Sequence, residues 1–283
     1  MKTSCTIGSS VIGEGAALAL IAGPCVLEST ATNTTIGVTL RDACEALGMT
    51  YIFKASFDKA NRSSGSSPRG PGMDEGLKEL ARLRRELGVP VTTDVHLPEQ
   101  AERVAQVVDL LQVPAFLSRQ TDLLQACGRT GVPVNIKKGQ FFSPGEMRNP
   151  VEKVRQAGSR DVIVTERGTF FGYHRLVNDF IGIGDLMDLG VPVCFDATHS
   201  TQLPGAEGSA SGVRPERAPL LAKAAVAAGV HAVFIECHPE PERAMSDKST
   251  MLRLDDVPPL LAQLAALRQV VTGTGLPRVQ ESL

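Results

Sequence analysis

The sequence predicts a single (β/α)8 barrel, and three observations carry that prediction. Eight short runs of apolar and β-branched residues recur about every 20 to 40 residues. They are apolar over consecutive positions rather than alternating, the pattern of a parallel sheet covered on both faces. The segments between them carry helical stripes, and the tetrapeptide Gly-Val-Pro-Val recurs at 88, 131 and 190, each time where a helix should end and a strand begin.

Taken in order, the predicted strands are ALALIAGP from 17, YIFKAS from 51, VPVTTD from 89 and DLLQVPA from 109, followed by VPVNIKKG from 132, VIVTERG from 162, VPVCFDATH from 191 and AVFIECHP from 232. Leu77, Leu80, Leu83 and Leu87 form one helical stripe, stopped by Gly88; Leu260, Leu264, Leu267 and Val271 form another. A barrel of this kind takes about 250 residues, which leaves no room for a second domain. The expected organisation is an N-terminal extension over 1–15, forming a plug or hairpin, a catalytic barrel over 16–275 and a tail over 276–283.

Composition narrows the function classes. Apolar residues make up 42% of the 283, enough for a full core, so disorder is excluded as the overall state. With 29 basic against 31 acidic residues and no basic block, a nonspecific grip on nucleic acid is not expected. No apolar run reaches the ~20 residues that span a bilayer, so no membrane partner is expected. The apolar stretch 16–23 reads as a strand rather than a leader, because Glu14 precedes it and Pro24 follows. Six cysteines without a C-x-x-C pair suggest reduced thiols and a cytoplasmic location.

In this architecture chemistry gathers where strands end at their C-termini. There the runs turn polar: Cys25, Lys54, Asp94, Lys137 and Lys138, Glu166 and Arg167, Asp196 and His199, Glu236 and His238. Lys54, Lys59, Arg62, Lys137, Lys138 and Arg167 put six cations around one mouth, enough for two phosphates or a phosphate and a carboxylate. The plainer reading leaves some of them facing solvent or paired with acids such as Asp58 and Glu166. Cys25, His199, Glu236 and Asp247 form a second group that can converge because the first and last strands adjoin in a closed barrel. A thiolate, an imidazole and two carboxylates suit a divalent transition ion, Fe, Zn, Mn or Co, better than Mg or Ca. Alternatively, Cys25 is a small buried hydrophobe. Long segments at 57–72, 200–216 and 239–255 read as lids or plain connectors.

The segments IAGPCVLES (21–29), FKASFDKANRSS (53–64), PAFLSRQTDL (114–123) and NIKKGQF (135–141) extend this reading, together with Arg69–Gly72, Thr93–His96, Glu166–Gly168, Phe195–Ser200 and Phe234–Pro239. Together they resemble the 3-deoxy-D-manno-octulosonate 8-phosphate synthases, in order across nearly the whole chain. The resemblance implies condensation of phosphoenolpyruvate with arabinose 5-phosphate, releasing phosphate, for lipopolysaccharide biosynthesis. It implies that Lys54 and Lys59 face the phosphoenolpyruvate carboxylate, and that Lys137 and Arg167 hold its phosphate with Gln112 nearby. Asn61 would meet the sugar hydroxyls, Arg62 and Ser63 the sugar phosphate, with Arg119 reaching in from a neighbouring subunit of a homotetramer. Asp94 would order the sugar or the metal side, and Lys59, His199 and Asp247 would stand at the chemistry. Cys25 marks the metal-dependent branch of that family, which makes Cys25, His199, Glu236 and Asp247 the implied ligands. The competing readings are a 3-deoxy-D-arabino-heptulosonate 7-phosphate synthase using erythrose 4-phosphate, a Schiff-base aldolase, and a non-catalytic phosphosugar sensor.

Overall fold

The computed structural model describes residues 3–60, 68–207 and 210–273. The chain opens with β1 (Ser4–Ile7) and β2 (Ser10–Gly13), an antiparallel hairpin. Then come β3 (Ala19–Gly23), α1 (Thr30–Ala46), β4 (Thr50–Lys54), α2 (Met73–Leu87), β5 (Val91–Asp94), α3 (Ala101–Ala105), β6 (Leu110–Val113) and α4 (Thr121–Arg129). The second half carries β7 (Val134–Lys137), α5 (Arg148–Ala157), β8 (Val162–Glu166), α6 (Phe180–Met187) and β9 (Val193–Asp196), then the hairpin β10 (Gln202–Glu207) and β11 (Ala210–Val213). It closes with α7 (Ala218–Ala227), β12 (Ala232–His238), β13 (Leu252–Arg253) and α8 (Val257–Gly273).

Strands β3 to β9 pair in sequence order, all parallel, and β12 pairs with both β9 and β3, closing an eight-stranded barrel. All eight apolar runs supply its strands. Alternation along each strand sorts the core into two layers. Leu20, Ala22, Tyr51 and Phe53 face outward into the layer beneath the helices, where the predicted stripe Leu77, Leu80, Leu83 and Leu87 of α2 meets them. Ala19, Ile21, Ile52, Leu110, Ile163 and Phe234 form an inner layer with Cys5, Ile7 and Ile12 of the hairpin. The N-terminal hairpin is thus an apolar stopper in the barrel's lower end.

The repeated tetrapeptide acts as the sequence suggested. Gly88, Gly131 and Gly190 all take left-handed backbone, with φ of 67°, 72° and 68°, which a glycine adopts without the steric cost of a Cβ. Two of the long segments carry strands: 200–216 contains the β10–β11 hairpin, and 239–255 contains β13, paired parallel to the end of β12. The Ser/Gly stretch 63–67 lies outside the described residues. No helix among the described residues is long and apolar enough to cross a membrane.

Candidate active site

The strand ends deliver a lattice of buried charge. Lys54, the last residue of β4, is 1% exposed, and its Nζ lies 2.8 Å from Glu236 Oε1, 3.1 Å from the Cys25 carbonyl and 3.7 Å from Asp94 Oδ2. Burial works against the charge of Lys54, but Glu236 and Asp94 outweigh it and hold its pKa above the ordinary lysine value. Lys59 behaves likewise: burial opposes its charge, while Cys25, Glu236, Asp94 and Asp247 raise it well above normal. Each lysine is therefore a fixed cation.

Across the barrel, Lys137 Nζ sits 2.5 Å from Asp196 Oδ2 and 3.8 Å from the centroid of the Phe234 ring. Asp196 also fixes His199. Its Oδ1 accepts from the His199 backbone N–H, and its Oδ2 lies 2.8 Å from His199 Nδ1. That contact directs Nε2 toward Glu236 Oε2 at 3.6 Å and Asp247 Oδ2 at 4.0 Å. Arg167 is 5% exposed; its Nη2 donates to Gln202 Oε1 at 2.6 Å, while its buried Nη1 has no partner.

A belt of polar side chains runs around the inner wall below this group. Thr165 Oγ1 donates to Asn135 Oδ1, Asn135 Nδ2 to Gln112 Oε1, and Gln112 Nε2 to Asp94 Oδ1; Ser56 Oγ donates to Asp94 Oδ2. Every donor points toward Asp94. Burial pushes the Asp94 carboxyl up, but Lys54, Lys59 and these donors hold it far below the usual carboxylate range.

Three of the four expected ligands, Cys25, Glu236 and Asp247, form a group that could hold a metal ion, and His199 stands beside it, outside the group. The ligating atoms of Cys25, Glu236 and Asp247 lie within 4.8 Å of one another. Glu236 Oε2 is buried without a hydrogen-bond partner, a costly state that a cation would relieve. The Cys25 thiol donates to Asp247 Oδ2 at 2.8 Å and contacts Ser246 Oγ at 3.2 Å. Burial, with Glu236 next, raises its pKa well above the thiol norm, so the sulfur stays protonated until a cation displaces the proton. Asp247 adopts left-handed backbone at φ 48°, strained for an aspartate, in the turn that brings its carboxylate back over Cys25.

The structure changes one of these expectations. Lys138 does not join the mouth: it is fully buried behind it, bound to Phe142 O, Thr169 Oγ1 and Glu166. The Gln112 amide is engaged at both ends by the belt. Arg119 is exposed on the turn after β6. Asn61, Arg62 and Ser63 lie outside the described residues. Two supports were missed, Asp196 behind His199 and Gln202 on Arg167; the first was visible as a polar strand end, while the second comes from a hairpin read as a loop.

Fold and site define a barrel enzyme whose mouth is built for anionic substrates. The profile of the DAHP synthetase I family matches residues 2–272. A protein of Citrifermentans bemidjiense named 2-dehydro-3-deoxyphosphooctonate aldolase is 49% identical over 271 residues, 96% of this chain and 99% of its own. Proteins of the same name from Nitratidesulfovibrio vulgaris and Verminephrobacter eiseniae are each 53% identical, over 88% and 93% of this chain and 91% and 95% of theirs. The chain belongs to the DAHP synthetase I family.

Proposed function

We propose that this chain condenses phosphoenolpyruvate with D-arabinose 5-phosphate and water, giving 3-deoxy-D-manno-octulosonate 8-phosphate and inorganic phosphate for lipopolysaccharide biosynthesis. The observation that carries this reading is the separation of two unsatisfied buried groups, Arg167 Nη1 awaiting an anion and Glu236 Oε2 awaiting a cation. The shared name of the relatives supports the octulosonate product over the heptulosonate alternative. A Schiff-base route needs a lysine that gives up its proton. Lys54 and Lys59 are held charged, and Lys138, whose pKa burial lowers, is enclosed behind the site.

Lys137 and Arg167 hold the phosphate of phosphoenolpyruvate, and Lys54 and Lys59 hold its carboxylate. Carbon 3 of phosphoenolpyruvate bonds to the sugar aldehyde carbon, water adds at carbon 2, and the C–O bond to phosphate then breaks. Lys59, His199 and Asp247 stand around the reacting carbons, and the fixed cations stabilise charge as it develops. Cys25, His199, Glu236 and Asp247 would hold a divalent Fe, Zn, Mn or Co ion, which when bound polarises and orients the aldehyde. Asp196 keeps the His199 ring oriented with Nε2 inward, as a carboxylate behind a ligating imidazole does. Asp94 orders the sugar side, with Gln112 beneath. Asn61, Arg62 and Ser63 take the sugar and its phosphate. Arg119 completes that subsite from a neighbouring subunit of a homotetramer in the cytoplasm.

The test is phosphate release from phosphoenolpyruvate with arabinose 5-phosphate or erythrose 4-phosphate, before and after chelation. Arabinose 5-phosphate should be strongly preferred, and chelation should stop the reaction until a divalent transition ion is restored. Equal or better use of erythrose 4-phosphate would overturn the substrate assignment.

A further inference from the structure

We infer that the buried Lys138–Glu166 pair is a positioning device for Arg167, an inference that rests on reading Lys137 and Arg167 as the phosphoenolpyruvate phosphate site. Lys137 and Lys138 are adjacent, as are Glu166 and Arg167, yet the neighbours turn to different partners. Lys137 meets Asp196 and Phe234, whereas Lys138 reaches Phe142 O at 3.2 Å, Thr169 Oγ1 at 3.0 Å and Glu166 Oε2 at 3.5 Å. Each of its three protons has a protein oxygen, which accounts for a lysine at 0% exposure. This is no part of the substrate surface.

Glu166 shows what the pair does. One carboxylate oxygen faces Lys138; the other accepts the backbone N–H groups of Arg167 at 2.9 Å and Gly168 at 2.6 Å. The chain is thereby bent as it leaves β8. Gly168 takes φ 91° in that bend, and a Cβ there would stand 2.8 Å from Leu176 Cβ, so the turn has little slack. Arg167 is then held at its main chain by Glu166 and at Nη2 by Gln202, which leaves Nη1 as the nitrogen presented to a ligand. Lys138 has a second effect. Its charge holds Glu166 away from the Arg167 guanidinium, the cation a freed carboxylate would otherwise neutralise. Fixing a cation before the anion arrives is the preorganisation such a site needs.

The experiment is steady-state phosphate release by the full-length enzyme, with KM measured separately for phosphoenolpyruvate and arabinose 5-phosphate. Lys138→Met should raise the phosphoenolpyruvate KM about 10-fold or more and change the sugar KM less than about 3-fold, since the lost contact acts on one anion. Adding Glu166→Gln should return the phosphoenolpyruvate KM to within about 3-fold of wild type: the amide oxygen still accepts both N–H groups and carries no charge to capture Arg167. Adding Glu166→Leu instead removes the acceptor and should leave that KM high. A mere folding defect would lower the active fraction and kcat while leaving both KM values in place. An unchanged phosphoenolpyruvate KM in Lys138→Met, equal rises in both KM values, or identical double variants would each overturn the inference. If Lys138→Met does not fold, the two double variants decide it. A wild-type enzyme that releases no phosphate from these substrates would instead sink the reading of the site itself.

Discussion

Replacing Cys25 with alanine separates a metal ligand from a small buried side chain. The residue is 0% exposed, packs with Ala244 and Met251, and gives up contacts to Asp247 and Ser246 when truncated. Packing and hydrogen-bond losses of that size cost about 1 to 2 kcal/mol of stability on either reading. What differs is the response to an ion. At a free ion concentration about 100 times its Kd, a bound ion stabilises the folded wild type by about 2.7 kcal/mol. If removing one of four ligands weakens binding about 100-fold, the same ion stabilises Cys25→Ala by only about 0.4 kcal/mol. Urea unfolding of chelated and reloaded protein, wild type and variant, measures both numbers without reference to activity. Cys25→Asn should also lose the ion response. An ion that stabilises Cys25→Ala as much as wild type would refute the assignment.

Arg167→Ala should raise the KM for phosphoenolpyruvate and lower turnover together, by about 10- to 150-fold in kcat/KM, because on the proposed reading Arg167 holds the phosphate in both ground and transition states; wild-type values would remove Arg167 from the site. Gly23→Ala would place a Cβ 2.1 Å from the Lys54 carbonyl oxygen, a backbone atom that cannot swing away, and should cost about 3 kcal/mol in urea unfolding. A loss under about 1 kcal/mol would show that β3 and β4 can part. His231, whose Nδ1 accepts the Val193 N–H, has its pKa lowered from 6.5 to about 4 by burial and by Arg268. The unfolded chain therefore binds a proton that the folded chain refuses, so this contribution is full above about pH 6.5 and is lost as pH falls toward 4, about 3 kcal/mol in all. His231→Gln should lack that part of the acid sensitivity, read from unfolding curves between pH 7 and 4; curves that fall in parallel would exclude it.

The barrel strands were legible because a sheet buried on both faces leaves an unbroken apolar run, and their polar ends because the fold places chemistry there. Cys25, His199, Glu236 and Asp247 were legible as candidates from their chemistry and from closure of the barrel, which brings the first strand beside the last. Asp247 was the least accessible of the four, since its place depends on a left-handed turn at a residue whose type does not announce one. The β10–β11 hairpin hid behind glycines and serines that usually mark a loop. Lys138 was misread for a simpler reason: composition reports a positive charge but not which way it turns, and a one-residue step along the chain moved it from the mouth to the wall.

The apolar stopper formed by β1 and β2 makes the barrel a well rather than a pipe. The incoming substrates and the departing phosphate exchange through one rim, between the segments that follow the strands. Beneath the polar belt, the described residues that fill the barrel are hydrocarbon and thiol, a floor that no anion crosses. Loosening the hairpin would therefore wet the underside of the Asp94 belt and soften the charges above it, without giving phosphate a second way out.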